Sequence, residues 1–124
     1  MLPVACRQGE QAVQRALARE PTGVRIDGTL LSECLNRVGD ARDVQEVGAT
    51  FVSVAADLAP RARAAPDGVA ARQLGYLVGA LRRGAARTQG IHAEMLRRVE
   101  QELLVVNTGA RAFRAGERAG SESG

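Results

Sequence analysis

Val44-Gln45-Glu46-Val47-Gly48-Ala49-Thr50-Phe51-Val52-Ser53-Val54-Ala55-Ala56-Asp57-Leu58 is the stretch on which the fold turns. Within it Val44, Val47, Gly48, Phe51, Val54, Ala55 and Leu58 recur at steps of three and four. That spacing lines one face of a 3.6-residue helix and leaves the polar side chains on the other, whereas a strand would alternate at every second residue. The spacing predicts an amphipathic helix over 41–65. Asp40 stands before it as an N-cap, and Pro60 would remove one backbone hydrogen bond and bend the helix where it continues. Pro66-Asp67-Gly68 then supplies a turn that ends it.

Toward the N-terminus, Ala12, Val13, Ala16 and Leu17 repeat at helical spacing within residues 6–20, and Pro21 with Gly23 stops the pattern. Residues 24–28 alternate apolar and polar and close on Asp27-Gly28, a turn pair; a single short run without a partner strand makes no sheet, so it reads as an extended connector. Thr29 then caps a short second helix carrying Leu30, Leu31, Cys34, Leu35 and Val38, with Gly39 as its stop.

Toward the C-terminus, one stripe runs in phase through Ala70, Leu74, Leu77, Val78, Leu81, Ala85, Thr88, His92, Met95, Leu96, Val99, Leu103 and Val106. A single helix of that length would approach 60 Å at about 1.5 Å per residue. Thr88-Gln89-Gly90 is the natural place for a bend or a break, with Thr88 or Gln89 near a new helix start. Gly75 and Gly79 lie four apart on this element, a spacing that lets a second helix come close; Arg72, Arg82 and Arg83 make the segment too polar for a membrane. After Val106 the chain turns to Asn, Thr, Gly, Arg, Ser and Glu, with Phe113 the only sizeable apolar side chain. Residues 107–124 therefore read as a disordered tail, the alternative being a short helix over 110–118 that docks Phe113.

The composition agrees with packed helices. Of 124 residues, 45% are apolar and 25% charged, and there are only two Phe, one Tyr and no Trp, so the core has to be aliphatic on closely approaching backbones. All 17 basic residues are arginine. The missing lysine excludes a phosphate-loop lysine, a Schiff base and a lysine-activated serine. A net charge of +3 spread along the chain is weaker than the clustered patch of a nucleic-acid binder. No apolar run nears the roughly 20 residues that span a bilayer, and Met1-Leu2-Pro3-Val4 carries neither a basic leader nor a long apolar segment, so no export signal is expected.

Few residues carry chemistry. His92 is the only histidine, and with Glu94 it spells His-x-Glu, half of a zinc-deaminase signature whose Pro-Cys-x-x-Cys half is missing. A zinc site from Cys6, Cys34, His92 and a carboxylate would need three elements to converge. A partly buried histidine bonded to a backbone or carboxylate group accounts for His92 on an apolar stripe. Tyr76 completes a candidate ligand site with His92 and Glu94. Glu94, Glu100 and Glu102 lie among Arg97 and Arg98 and read as exposed helix ion pairs. Arg82, Arg83, Arg87, Arg97 and Arg98 would make a basic stripe, with no aromatic residues interleaved to stack on bases. Cys6 and Cys34 would close a loop worth about 3.5 kcal/mol if oxidised, and two free buried thiols fit the spacing equally well.

Gln73-Leu74-Gly75-Tyr76-Leu77-Val78-Gly79, followed by Arg83-Gly84 and Gly90-Ile91-His92-Ala93-Glu94, resembles a family of small, uncharacterised helical proteins of high-GC bacteria. The resemblance extends to Cys6, to residues 24–28 and to Leu31-Ser32-Glu33-Cys34-Leu35. It implies an exported protein or lipoprotein in which a leader precedes the domain and both cysteine positions recur, which tilts Cys6 and Cys34 toward a disulfide. This chain departs from that pattern by beginning directly before the domain. The resemblance brings no activity and no catalytic residues.

The expectation is an all-α fold: a compact bundle of four to five helices in one domain over 1–106, with helix 41–65 packed on a long, bent or broken C-terminal helix. The function expected is a non-enzymatic structural or protein-interaction module, of the cell envelope if a leader has been removed and cytoplasmic otherwise, with no cofactor, metal or catalytic residue, acting with a protein partner or with itself. The alternatives are a small-ligand or metal-binding domain around His92, Glu94 and Tyr76, and a weak nucleic-acid binder using the arginine stripe.

Overall fold

A computed structural model describes residues 2–36, 41–88 and 90–124. It is all-α: among the described residues there are six helices and no strand. A 3-10 turn over Val4–Arg7 leads into α1 (Glu10–Leu17), α2 (Leu31–Asn36), α3 (Ala41–Ala64), α4 (Val69–Ala85), α5 (Ala93–Glu102) and α6 (Arg111–Ser123), with a second 3-10 turn, Leu103–Val105, after α5. Val38, Gly39, Asp40 and Gln89, assigned above to helix ends and caps, lie outside the described residues.

The decisive stripe folds as read. Val47, Phe51, Val54, Ala55, Leu58 and Ala62 are buried on one face of α3. Pro60 sits on the solvent side, and the helix passes it to end at Ala64 before Pro66. The connector at 24–28 closes more tightly than its sequence suggested. Ile26 and Thr29 exchange two backbone hydrogen bonds of 2.9 Å, and both residues between them have positive φ, Asp27 at 48° and Gly28 at 80°. That is the backbone of a two-residue hairpin turn, reduced to a single bridge. Thr29 is thus engaged in the bridge and does not cap α2; the Glu33 carboxylate instead accepts the Leu30 N–H at 3.1 Å, the returning half of a capping box.

Two expectations need correction. The long C-terminal stripe breaks where the sequence allowed a bend or a break, but its new helix starts later than Thr88 or Gln89: α4 stops at Ala85, residues 86–88 and 90–92 turn, and Gly90 takes φ 86°, a conformation open to glycine and costly for other residues. Thr88 lies in the turn just after α4, where its hydroxyl donates to the Ala85 carbonyl at 2.7 Å, and the new helix starts only at Ala93. The turn swings α5 back across α3, so that Met95 lies over Gly48, whose added Cβ would stand 3.2 Å from the Met95 Cγ. The second correction concerns 107–124, which is no loose tail. It folds as α6, with Ala112 and Phe113 buried and Gly116, Gly120 and Gly124 below them on the same face.

Glycines explain why α6 docks. A Cβ on Gly75 would overlap the Phe113 carbonyl oxygen, one on Gly79 that of Glu117, one on Gly116 that of Arg72 and one on Gly120 that of Tyr76. Each helix thus presents glycine where the other presents backbone, and residue numbers rise together, so α4 and α6 run parallel in close contact. At that separation Cα–H groups approach carbonyl oxygens and dispersion contacts are dense, which offsets the meagre apolar content of α6. The far end is tied by the Ser32 N–H donating to the Gly124 carbonyl at 3.1 Å. With α6 on one side and α2 and α3 on the others, every residue from Leu74 to Leu81 is buried, and α4 is the central helix.

Candidate functional site

The cysteines come together and the other candidates do not. Cys6, carried by the first 3-10 turn, and Cys34 on α2 are at disulfide distance, with Cα atoms 5.6 Å apart. The staple joins that turn to α2; α1 begins after Gly9, so helix one itself is not the cross-linked element. Both sulfurs face the core, where Leu17, Val24, Leu31 and Leu35 are buried. Pairing with each other withdraws them from the zinc set that the sequence allowed.

His92 is 2% exposed. Its Nε2–H donates to the Leu35 carbonyl at 3.0 Å, so the imidazole fixes the turn between α4 and α5 to the residue next to Cys34. A carbonyl oxygen only accepts, which places a proton on Nε2. Glu94, two residues on, points into solvent and holds Arg97 at 2.7 Å. That carboxylate pushes the Arg97 guanidinium further up from an already basic value, with no consequence near neutral pH. Tyr76 is buried against α6, its backbone carbonyl beneath Gly120. His92, Glu94 and Tyr76 are thus held by three different partners and do not form one site. Among the described residues no three His, Cys, Asp or Glu side chains are grouped to hold a metal ion, and no helix is long and apolar enough to cross a membrane.

The arginine stripe is divided among structural tasks. Arg82 forks between Glu100 of α5 at 2.9 Å and Glu117 of α6 at 2.6 Å, clamping three helices at their solvent edge. Arg83 donates to the Glu122 carbonyl at 2.7 Å. Arg87 and Arg98 remain exposed. Exposed pairs of this kind are worth at most about 1 kcal/mol each, so they align the helices more than they hold them.

One surface feature escaped the sequence. Between the end of α5 and α6 an open groove is lined by Arg82, Glu100, Leu104, Phe113, Arg114 and Glu117. At its lip the 3-10 turn lays Leu104 85% and Val105 52% exposed while Leu103 goes inward. In the sequence the apolar stripe passes through Leu103 and Val106 and leaves Leu104 and Val105 off it. Their outward placement therefore agrees with the spacing, and what the spacing does not give is the groove that α6 forms behind them. Neither a family model nor a curated protein nor a solved structure matches this chain.

Proposed function

We propose that this chain is a non-enzymatic protein-interaction module whose contact face is the Leu104-Val105 corner and the groove behind it. The observation that carries the reading is the pair of adjacent aliphatic side chains held in solvent by a turn whose first residue, Leu103, is buried and which Val106, partly buried against the core, follows. A leucine at this exposure contributes nothing to the fold, and apolar side chains rimmed by charged ones are the composition of contact surfaces. Arg82, Arg114, Glu100 and Glu117 supply such a rim. The Cys6–Cys34 pair favours an oxidising compartment, where such bridges persist, so the reading extends to the cell envelope.

The test is site-specific photo-crosslinking in the native host, with a benzoylphenylalanine at position 104 and, as control, at Glu46 on the exposed face of α3. A discrete adduct from position 104 and none from position 46 is expected. Equal adducts from both positions, or a turnover abolished by His92→Ala in a protein that still folds, would overturn the reading.

A further inference from the structure

Beyond that contact face, Arg15, Arg19 and Arg25 meet around a second, shallow cavity, lined also by Gln8 and Asp27. Arg15 and Arg19 project from α1 one turn apart, and Arg25 comes from the segment that closes on the Asp27-Gly28 turn. The Arg19 Nη1–H donates to the Arg25 carbonyl at 3.3 Å, which brings the two guanidinium-bearing segments against each other.

Arg15 also borders Glu10 and Asp57 in a neighbouring hollow; apart from Glu10, the nearby carboxylates are committed elsewhere. Asp27 accepts from the Gln8 amide at 2.5 Å, Glu20 is drawn to Arg72 at 2.8 Å, and Asp57 is shared by Gln14 and Arg61. Among the described residues, Arg15, Arg19 and Arg25 have no carboxylate partner. Around the cavity, three guanidinium groups thus face one carboxylate that is already engaged.

Their backbones are braced. Ala12 and Ala16 bury the inner face of α1, Val24 and Ile26 are buried beside Arg25, and the Ile26–Thr29 bridge closes the segment. Gly23 and Gly28 leave the cavity open, since an added Cβ on either would meet nothing within 4 Å. Arginine presents a planar fork that matches phosphate oxygens two at a time, and braced backbones keep the three stems converging on the cavity.

We infer that this cavity binds a phosphate group, carried either by a soluble ligand or by an anionic lipid headgroup. The experiment uses the full chain with its disulfide intact at low salt. Inorganic pyrophosphate is titrated by calorimetry, and sedimentation measures binding to equimolar phosphatidylcholine–phosphatidylglycerol vesicles and to pure phosphatidylcholine vesicles. Arg15→Gln/Arg19→Gln/Arg25→Gln is compared with Arg63→Gln/Arg87→Gln/Arg98→Gln, which removes the same charge from exposed positions elsewhere. Charge-assisted hydrogen bonds of this type predict a loss of at least about tenfold in the first triple and little change in the second. Binding of pyrophosphate alone identifies a soluble ligand, and binding of the anionic vesicles alone identifies a headgroup; both support the site. Equal loss in both triples, binding to pure phosphatidylcholine as strong as to the anionic vesicles, or no binding to any probe would overturn it.

Discussion

A methyl group added at Gly120 measures how closely α4 and α6 approach. Its Cβ would overlap the Tyr76 carbonyl oxygen and stand 3.0 Å from the Ala80 nitrogen, and backbone atoms cannot swing aside. Alanine gains about 1 kcal/mol of helix propensity over glycine, and overpacking of this kind costs about 3 kcal/mol. Gly120→Ala should therefore lose about 2 kcal/mol in denaturant unfolding. Gly48→Ala is the contrast: its Cβ meets only the flexible Met95 side chain at 3.2 Å, so it should be neutral or stabilising. Equal effects at the two positions would contradict the close approach. A second residue-scale prediction concerns Asp57, whose carboxyl is held below its ordinary value first by the Gln14 amide and then by Arg61. Because the folded value lies below the unfolded one, this contribution is present above the unfolded carboxylate range and is lost as pH falls through the folded value. Gln14→Leu should move the Asp57 titration upward, read from its carboxyl carbon by NMR. Both side chains are exposed, so stability at neutral pH should barely change.

At the scale of elements, α6 stands on one large side chain and a row of absent ones. Phe113→Ala removes the only bulky apolar group it buries and should cost about 3–5 kcal/mol, with the helical circular dichroism of residues 111–123 lost before the main transition. If the variant unfolds in one step with wild-type stability, α6 is held by something other than Phe113 and its glycines. The same helix marks where sequence reading ends. α3 was legible because its apolar residues are large and periodic, so the pattern alone gives the face and the partner. α6 was not, because Gly116, Gly120 and Gly124 contribute by what they lack, and a hydrophobicity pattern registers glycine as nothing. The signal was nevertheless present: Gly116-x-x-x-Gly120-x-x-x-Gly124 repeats the spacing of Gly75-x-x-x-Gly79. The break before α5 was legible as a place, through Gly90, and not as a direction, since a positive φ turns the chain by an amount no stripe encodes. For the candidate residues, spacing brought Cys6 and Cys34 into consideration together; it could not separate His92 from Glu94, because two residues on one turn of sequence can face core and solvent.

The whole molecule is organised around a buried α4, and the Cys6–Cys34 pair lies off that axis. It ties the first 3-10 turn to α2, and His92 reaches the same neighbourhood through the Leu35 carbonyl. The α4–α6 contact needs neither. Opening the pair should therefore weaken the N-terminal half first while the α3, α4 and α6 packing persists. Closing a loop of 28 residues restricts the unfolded chain by about 3.5 kcal/mol, which for a chain of this size corresponds to roughly 10–15 °C in Tm. Native-state hydrogen exchange with and without reductant resolves where that loss falls. Amides of α1 and of residues 24–29 are expected to lose protection on reduction, and those from Leu74 to Leu81 to keep it. A uniform loss across α4 and α6 would mean that the bridge supports the central helix directly. The contact face at Leu104 provides an independent check of the same division: lying beyond the bridge, it should give the same crosslinked adduct in the Cys6→Ser/Cys34→Ser protein, provided the α4–α6 core is still protected.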